Sequence, residues 1–276
     1  MTGWESRFFV IRGLCFRMDS IQHAAQEQFQ KQSHRYARGH ILENTRDVEM
    51  AFDGLEVPAG AAALDVATGA GYTAFFLARA GLRVTASDLT PAMLERVREG
   101  AAERGLEIVT REHPAEKLPY ADGSFLVVTC RVAPHHFSSV GDFVRESARV
   151  LKSGGWLVVI DGTVPDEFPE AEAWLHEVEK FRDPSHNRLL PPREWKGLCE
   201  EAGLVVQKLE VAFRKQPDLE WYFQTAATTA ENRERVRGLI AGADGRVREY
   251  YRLGEEEGKV VWWWPMLTLV ARKAEK

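Results

Sequence analysis

The stretch Ala61–Asp88, AAALDVATGAGYTAFFLARAGLRVTASD, constrains the fold of this chain more than any other. An apolar run, Ala61–Leu64, leads into Asp65 and the small-residue turn Ala67-Thr68-Gly69-Ala70-Gly71. An apolar helical segment, Tyr72–Ala80, comes next; after Gly81 a second apolar run, Leu82–Ala86, ends at Asp88. The order is strand, glycine turn, helix, strand, with an acid at the tip of each strand. Glycine lets a backbone approach a ligand that a side chain would exclude. The first N–H groups of a helix lack partners and favour negative charge. An acid after the second strand can accept both hydroxyls of a ribose. A nucleoside site is therefore expected, with an anionic group at the turn and the ribose at Asp88.

Two cofactors compete for that site. Gly69-Ala70-Gly71-Tyr72-Thr73-Ala74 fits the loose dinucleotide pattern, which leaves a nicotinamide-dependent oxidoreductase as one alternative. Asp65, already at the strand end, would repel a pyrophosphate. It would instead attract the ammonium and the sulfonium of S-adenosylmethionine. Four pieces, LDVATGAG, Asp88 followed by LTPAML, AEKLPYADGSF and RVLKSGGWLVVID, lie in order over roughly residues 60–163. On these the sequence resembles the class I S-adenosylmethionine-dependent methyltransferases, nearest the type 11 branch that contains the ubiquinone and menaquinone C-methyltransferases.

The resemblance implies a doubly wound α/β, Rossmann-like sheet of seven strands. The last strand runs antiparallel between the fifth and the sixth. It also implies S-adenosylmethionine as cofactor, with Asp88 on the ribose, Ala67, Gly69 and Gly71 at the methionine end, and Asp65 near the sulfonium or ammonium. Leu89 and Met93, in the piece after Asp88, and Arg131, at a strand end, join this set. An N-terminal segment folds over the methionine carboxylate in such enzymes, and Tyr36 and Arg38 are the candidates to touch it. Relatives commonly carry an aspartate just before the Ala115-Glu116 pair. This chain has Pro114 there, so adenine contacts must lean on the backbone near Ala115 and Glu116.

The remaining segments fit one elaborated domain. Residues 1–17 read as an extension before Met18, with arginines breaking any secretory core, and residues 18–276 as the methyltransferase domain. Residues 19–52 read as helical. Strands are expected at Glu107–Thr110, Ser124–Arg131, Trp156–Ile160, Leu204–Phe213 and Val260–Ala271, with Ser138-Ser139 capping one helix and Lys152–Gly155 stopping it. Strand–helix alternation specifies a parallel sheet whose ligands sit at the carboxyl ends of its strands. Two helical insertions, at about 165–190 and 217–257, are expected to form a lid that selects the acceptor.

Composition narrows the acceptor only by exclusion. A net charge of −5 lacks the basic face of a nucleic-acid binder. Three dispersed cysteines offer neither a disulfide framework nor a zinc site, and fit a reducing cytoplasm. No apolar run is long enough for a membrane span. Methyl transfer from a sulfonium is an in-line displacement that needs alignment, exclusion of water and removal of a proton, but no metal or enzyme nucleophile. The candidate acid–base and substrate groups are His135, His136 and Asp161, with His186 and Arg188 placed to meet an anionic substrate. Aromatic residues in the insertions and the Trp262-Trp263-Trp264 trio suit an aromatic or lipid-like acceptor, or the lid's own core. A small-molecule methyltransferase is the expected function; a catalytically silent cofactor-binding partner protein is the further alternative.

Overall fold

The computed structural model describes residues 8–11, 14–35 and 40–275. A short antiparallel hairpin, β1 (Phe8–Ile11) and β2 (Leu14–Arg17), precedes helices α1 (Ser20–Gln32) and α2 (Arg46–Phe52). The segment expected to be one helical region is thus split. Among the described residues between α1 and α2, only the single 3₁₀ turns Ser33–Arg35 and Ile41–Glu43 are regular. Side chains compete with helix here: His40 accepts the Leu42 N–H and Asn44 accepts the Arg46 N–H.

The alternating half follows as β3 (Ala62–Val66), α3 (Tyr72–Arg79), β4 (Arg83–Asp88), α4 (Pro91–Arg104), β5 (Ile108–Glu112), β6 (Phe125–Arg131), α5 (Val140–Val150) and β7 (Leu151–Gly162). Then come α6 (Pro169–Arg182), α7 (Pro192–Glu201), β8 (Leu204–Lys215), α8 (Leu219–Ala226), α9 (Ala230–Ala241), α10 (Gly245–Tyr250), β9 (Gly254–Glu256), β10 (Lys259–Val261) and β11 (Trp263–Lys273). Seven strands make one sheet in the order β5-β4-β3-β6-β7-β11-β8. The first five are parallel; β11 runs antiparallel between β7 and β8, the fifth and sixth strands of the sheet in chain order. The expected topology holds.

Sheet residues alternate between two apolar layers, as a strand covered on both faces requires. Leu157 and Val159 pack with Phe143 and Val144 of α5 and Trp195 of α7, whereas Val158 and Ile160 pack with Val48 and Ala51 of α2. Ala63, Val84 and Val127 meet Phe75 and Leu77 of α3 and Val97 of α4.

Two strand boundaries differ from expectation. Lys152–Gly155 does not break the chain but belongs to β7, where a register shift against β6 absorbs the glycines. The final strand starts at Trp263, because Lys259–Val261 pairs instead with Gly254–Glu256 in a separate hairpin. The two insertions build a second core. Leu175 and Val178 of α6 pack with Tyr222 and Phe223 of α8, Val236 of α9 and the buried Trp262. Trp174 belongs to this core, donating its indole N–H to the Leu239 carbonyl.

Gly155 shows how tightly the sheet is closed. A Cβ there would lie 2.9 Å from the carbonyl oxygens of both Leu126 and Lys152. These are backbone atoms in paired strands and cannot swing aside. Gly155→Ala should therefore destabilise the fold by about 1–3 kcal/mol, read as a lower urea midpoint; an unchanged midpoint would contradict this packing.

Candidate active site

The carboxyl ends of the parallel strands open into a cleft of ≈ 250 Å³, roofed by α1 and the lid. Its first wall is the β3–α3 turn. Gly69 has φ +55°, and its N–H donates to Asp88 Oδ2 at 2.9 Å. Asp88 Oδ1 accepts the Thr90 N–H at 2.8 Å, while the Thr90 hydroxyl, at the N-cap of α4, makes no cap bond. Asp88 lines the cleft, and its carboxylate is also hydrogen-bonded by the Thr90 hydroxyl and the Leu89 N–H. Burial pushes the Asp88 pKa upward against these hydrogen bonds.

Gly71 lies behind this wall. Its N–H donates to the Thr68 carbonyl, and a Cβ at its φ of +89° would meet Phe75 Cζ at 3.0 Å. Its role is close packing of α3, not ligand contact. With the Gly69 N–H engaged by Asp88 and the Gly71 N–H by the Thr68 carbonyl, neither is free to hold a pyrophosphate.

Ala67, Leu89, Met93, Ala115 and Glu116 line the cleft. Tyr36 and Arg38 lie outside the described residues. The α1 face that roofs the cleft was missed in the sequence. Gln22 donates to Glu116 Oε2 at 2.9 Å, and Gln26 to the Leu89 carbonyl at 2.8 Å. Phe29 meets the His136 ring edge-on, and the buried Gln32 donates to the Ala226 carbonyl. The available signal was polar amides at helical spacing on one side of a weakly apolar helix. Beside Pro114, the buried His113 ring also lines the cleft. It bonds the Tyr120 hydroxyl, and burial lowers its pKa to about 4, so it is neutral.

At the other end, Arg131 lines the cleft, but its donors are engaged. They reach Asp47 and the carbonyls of Leu42 and Asn44. Asp47 also takes Arg214, so two guanidiniums share one carboxylate. His135 and His136 form the turn after β6 and both line the cleft. His135 Nδ1 lies 2.7 Å from Asp161 Oδ1, and its backbone N–H donates to Asp161 Oδ2. Burial opposes a charge on the His135 ring, but Asp161, helped by Glu179 and Asp183, outweighs it and raises the pKa. His136 is the reverse case: burial and the neighbouring His135 lower its pKa to about 3.

Three expectations are corrected. Asp161 is buried and holds His135; it does not line the cleft and so is no substrate contact. His186 is buried in the lid against His176, and the exposed Arg188 pairs with Glu194; neither lines the cleft, so they do not form an anion site there. Asp65 is buried and does not line the cleft; it accepts the hydroxyls of Thr68 and Thr129 at 2.6 Å each. Burial raises its pKa to about 6 despite those bonds.

The sign of the Asp65 linkage follows. A carboxyl that binds its proton more tightly when folded contributes stability below its unfolded pKa of 3.8, lost as pH rises through about 6. Asp65→Asn keeps hydrogen-bonding partners for both hydroxyls and removes the buried charge. The variant should gain stability relative to the parent between pH 4.5 and pH 7.5, on the order of 2 kcal/mol, in paired thermal melts. A gap independent of pH would show that Asp65 titrates normally.

A methyltransferase domain model matches residues 64–159, from β3 to β7. The uncharacterized methyltransferase YcgJ of Bacillus subtilis is 33% identical over 183 residues, covering 66% of this chain and 72% of that protein. The Escherichia coli protein YafE, also uncharacterized, is 43% identical over 127 residues, 46% of this chain and 61% of its own. The crystal structure of YcgJ covers 84% of this chain and 100% of its own with a TM-score of 0.79 at 26% identity. That of the BH2331 protein of Bacillus halodurans covers 83% and 99% with a TM-score of 0.78 at 29% identity. With the strand order, the turn and these likenesses in agreement, the chain belongs to the class I methyltransferases, the family whose cofactor is S-adenosylmethionine.

Proposed function

We propose that this protein transfers a methyl group from S-adenosylmethionine to a small-molecule acceptor held between the strand ends and the lid, and that His135 removes the acceptor's proton. The supporting observation is the placement of two carboxylate-centred devices in one cleft. Asp88 offers two buried oxygens at the glycine turn, and the Asp161–His135 pair stands at the far side.

The residues present fit the cofactor. Asp88 would take the ribose hydroxyls, with Leu89, Met93 and Ala115 against the adenine and Ala67 and Gly69 along the methionine arm. Gln22 and Gln26 tie the α1 roof to both flanks of that channel. When bound, the cofactor supplies a methyl group on a cationic sulfur. The protein then has three tasks: to align the acceptor, to exclude water and to take up a proton. Phe29, Trp221, Trp264 and Met266 give the acceptor side an apolar lining. This suits an aromatic or lipid-like acceptor, with Arg182 and Arg214 beside it for an anionic substituent.

His135 is better suited than His136 to act as base. Its Nδ1 is oriented by Asp161, which leaves Nε2 to receive a proton, and the carboxylate stabilises the imidazolium that results. His136, held by Ser185, is too weak a base near neutral pH.

Two measurements test this. Asp88→Ala, in a variant that still melts cooperatively, should weaken S-adenosylhomocysteine binding by at least about 1.5 kcal/mol in calorimetry. Equal affinity would remove Asp88 from the ribose. A panel of small aromatic, lipid-like and anionic acceptors with methyl-labelled donor should reveal turnover, reduced by about 100- to 10,000-fold in His135→Gln. Parent activity should rise with pH through a midpoint above the ordinary histidine value of 6.5. Asp161→Asn should lower that midpoint, because burial then acts unopposed. An unshifted profile would exclude His135 as base.

A further inference from the structure

Three imidazoles lead from the cleft wall through the lid toward its surface. The rings of His135 and His186 are 5.7 Å apart, and those of His186 and His176 are 5.4 Å apart. His186 Nε2 and His176 Nδ1 lie at hydrogen-bond distance, 3.2 Å. His176 Nε2 then stands 3.8 Å from Glu172, whose side chain is 29% exposed and meets Arg188 on the surface. Within this path lie buried polar atoms with no protein partner: His186 Nδ1, His176 Nε2 and one oxygen of Glu179. Unpartnered buried atoms are unfavourable unless they have a further use, and here they lie between a base and the exterior. Among the described residues no three His, Cys, Asp or Glu side chains converge to hold a metal ion.

We propose that His186 and His176 form a relay that carries the acceptor's proton from His135 through the lid to Glu172. The inference rests on the reading of His135 as base. Asp161 occupies His135 Nδ1, so the proton arrives on Nε2 and must leave from it. No direct bond joins His135 to His186. The relay requires one buried water in that gap, for which His186 Nδ1 and the free Glu179 oxygen are the available partners. His186 gains a proton on Nδ1 and releases the one on Nε2 to His176 Nδ1. His176 releases its Nε2 proton to Glu172 and bulk water. Each ring gains one proton and loses one, and tautomer exchange resets it; no electron pair leaves the chain.

The surroundings favour transit over trapping. Burial, then the charges of His135, His136, His176 and Arg182, keep His186 neutral. Burial, Arg188 and Lys180 do the same for His176, opposed by Glu172 and the Leu189 backbone. A neutral imidazole with one protonated nitrogen and one free one is what a relay requires. The path matters most when cofactor and acceptor fill the cleft, which blocks the direct route for the proton to solvent.

The test uses ¹³C,¹⁵N-histidine-labelled protein saturated with S-adenosylhomocysteine. Long-range ¹H–¹⁵N spectra should show His186 and His176 each protonated on Nε2 and bare on Nδ1. A stable Nδ1–H tautomer on either ring would overturn the relay. Relaxation dispersion at the His135 ring carbon, near its own midpoint, reports how fast that ring exchanges protons. The rate should fall on the order of tenfold in His186→Gln and in His176→Gln, and recover with added free imidazole. His176, half-buried at the outer end, carries the test if the His186 variant does not fold. An unchanged rate in either folded variant overturns the relay yet leaves the base intact. Undiminished methylation by His135→Gln would instead overturn the base.

Discussion

The hydrogen bond from the Gly69 N–H to the Asp88 carboxylate joins the two halves of the cleft's first wall. It fixes the β3–α3 turn to the tip of β4, the neighbouring parallel strand. Thr68 adds a second tie, donating its N–H to the Ser87 carbonyl at 2.8 Å. The turn can therefore hold Ala67 at φ +50° and Gly69 at φ +55°, left-handed conformations that a free loop would leave. Because β3 is an interior strand, paired with β4 on one side and β6 on the other, the wall rests on a strand held along both edges. The carboxylate thus builds the wall and also presents oxygens to the cleft.

The acceptor side has a different physical basis. The lid is not a flap on a hinge but a second apolar core, in which α6, α8, α9 and α10 pack around Tyr222, Phe223 and Tyr251. The Tyr251 hydroxyl is fixed to the Ala171 carbonyl at 2.9 Å. Arg182 crosses from this core toward the cleft, over the rings of Tyr222 and Trp264 and paired with the buried Glu179. A chamber bounded by two packed cores keeps its shape, so acceptor selection can be strict.

Most of the sheet was legible because its signals are local. The turn AT-Gly-Ala-Gly, the acid at Asp88 and the apolar strands all act through neighbours in sequence. The antiparallel last strand, known only through family resemblance, was also met. What failed was side-chain direction. Asp65 and Asp161 were read as cleft-facing because they end strands. Period-two alternation decides which way such residues turn, and Thr129 and His135, far away in sequence, satisfy them. The glutamines of α1 escaped because a solvated amide and a roof tie have the same periodicity. His186 was expected to meet an anionic substrate; it is instead buried against His176 of α6.

The distribution of charge explains why so many acids surround this cleft. Asp65, Asp88 and Asp161 are all buried at or just behind the strand ends, an arrangement that makes their own negative charges costly. A cationic sulfonium relieves that penalty, which is a reason for the carboxylates to persist. Under the proposed chemistry, methyl transfer removes the positive charge from sulfur and places one, as a proton, on His135. The net charge of the cleft is unchanged until that proton departs. Its departure then restores uncompensated negative charge around a neutral thioether. Proton exit, rather than methyl transfer itself, would thus weaken the hold on the spent cofactor.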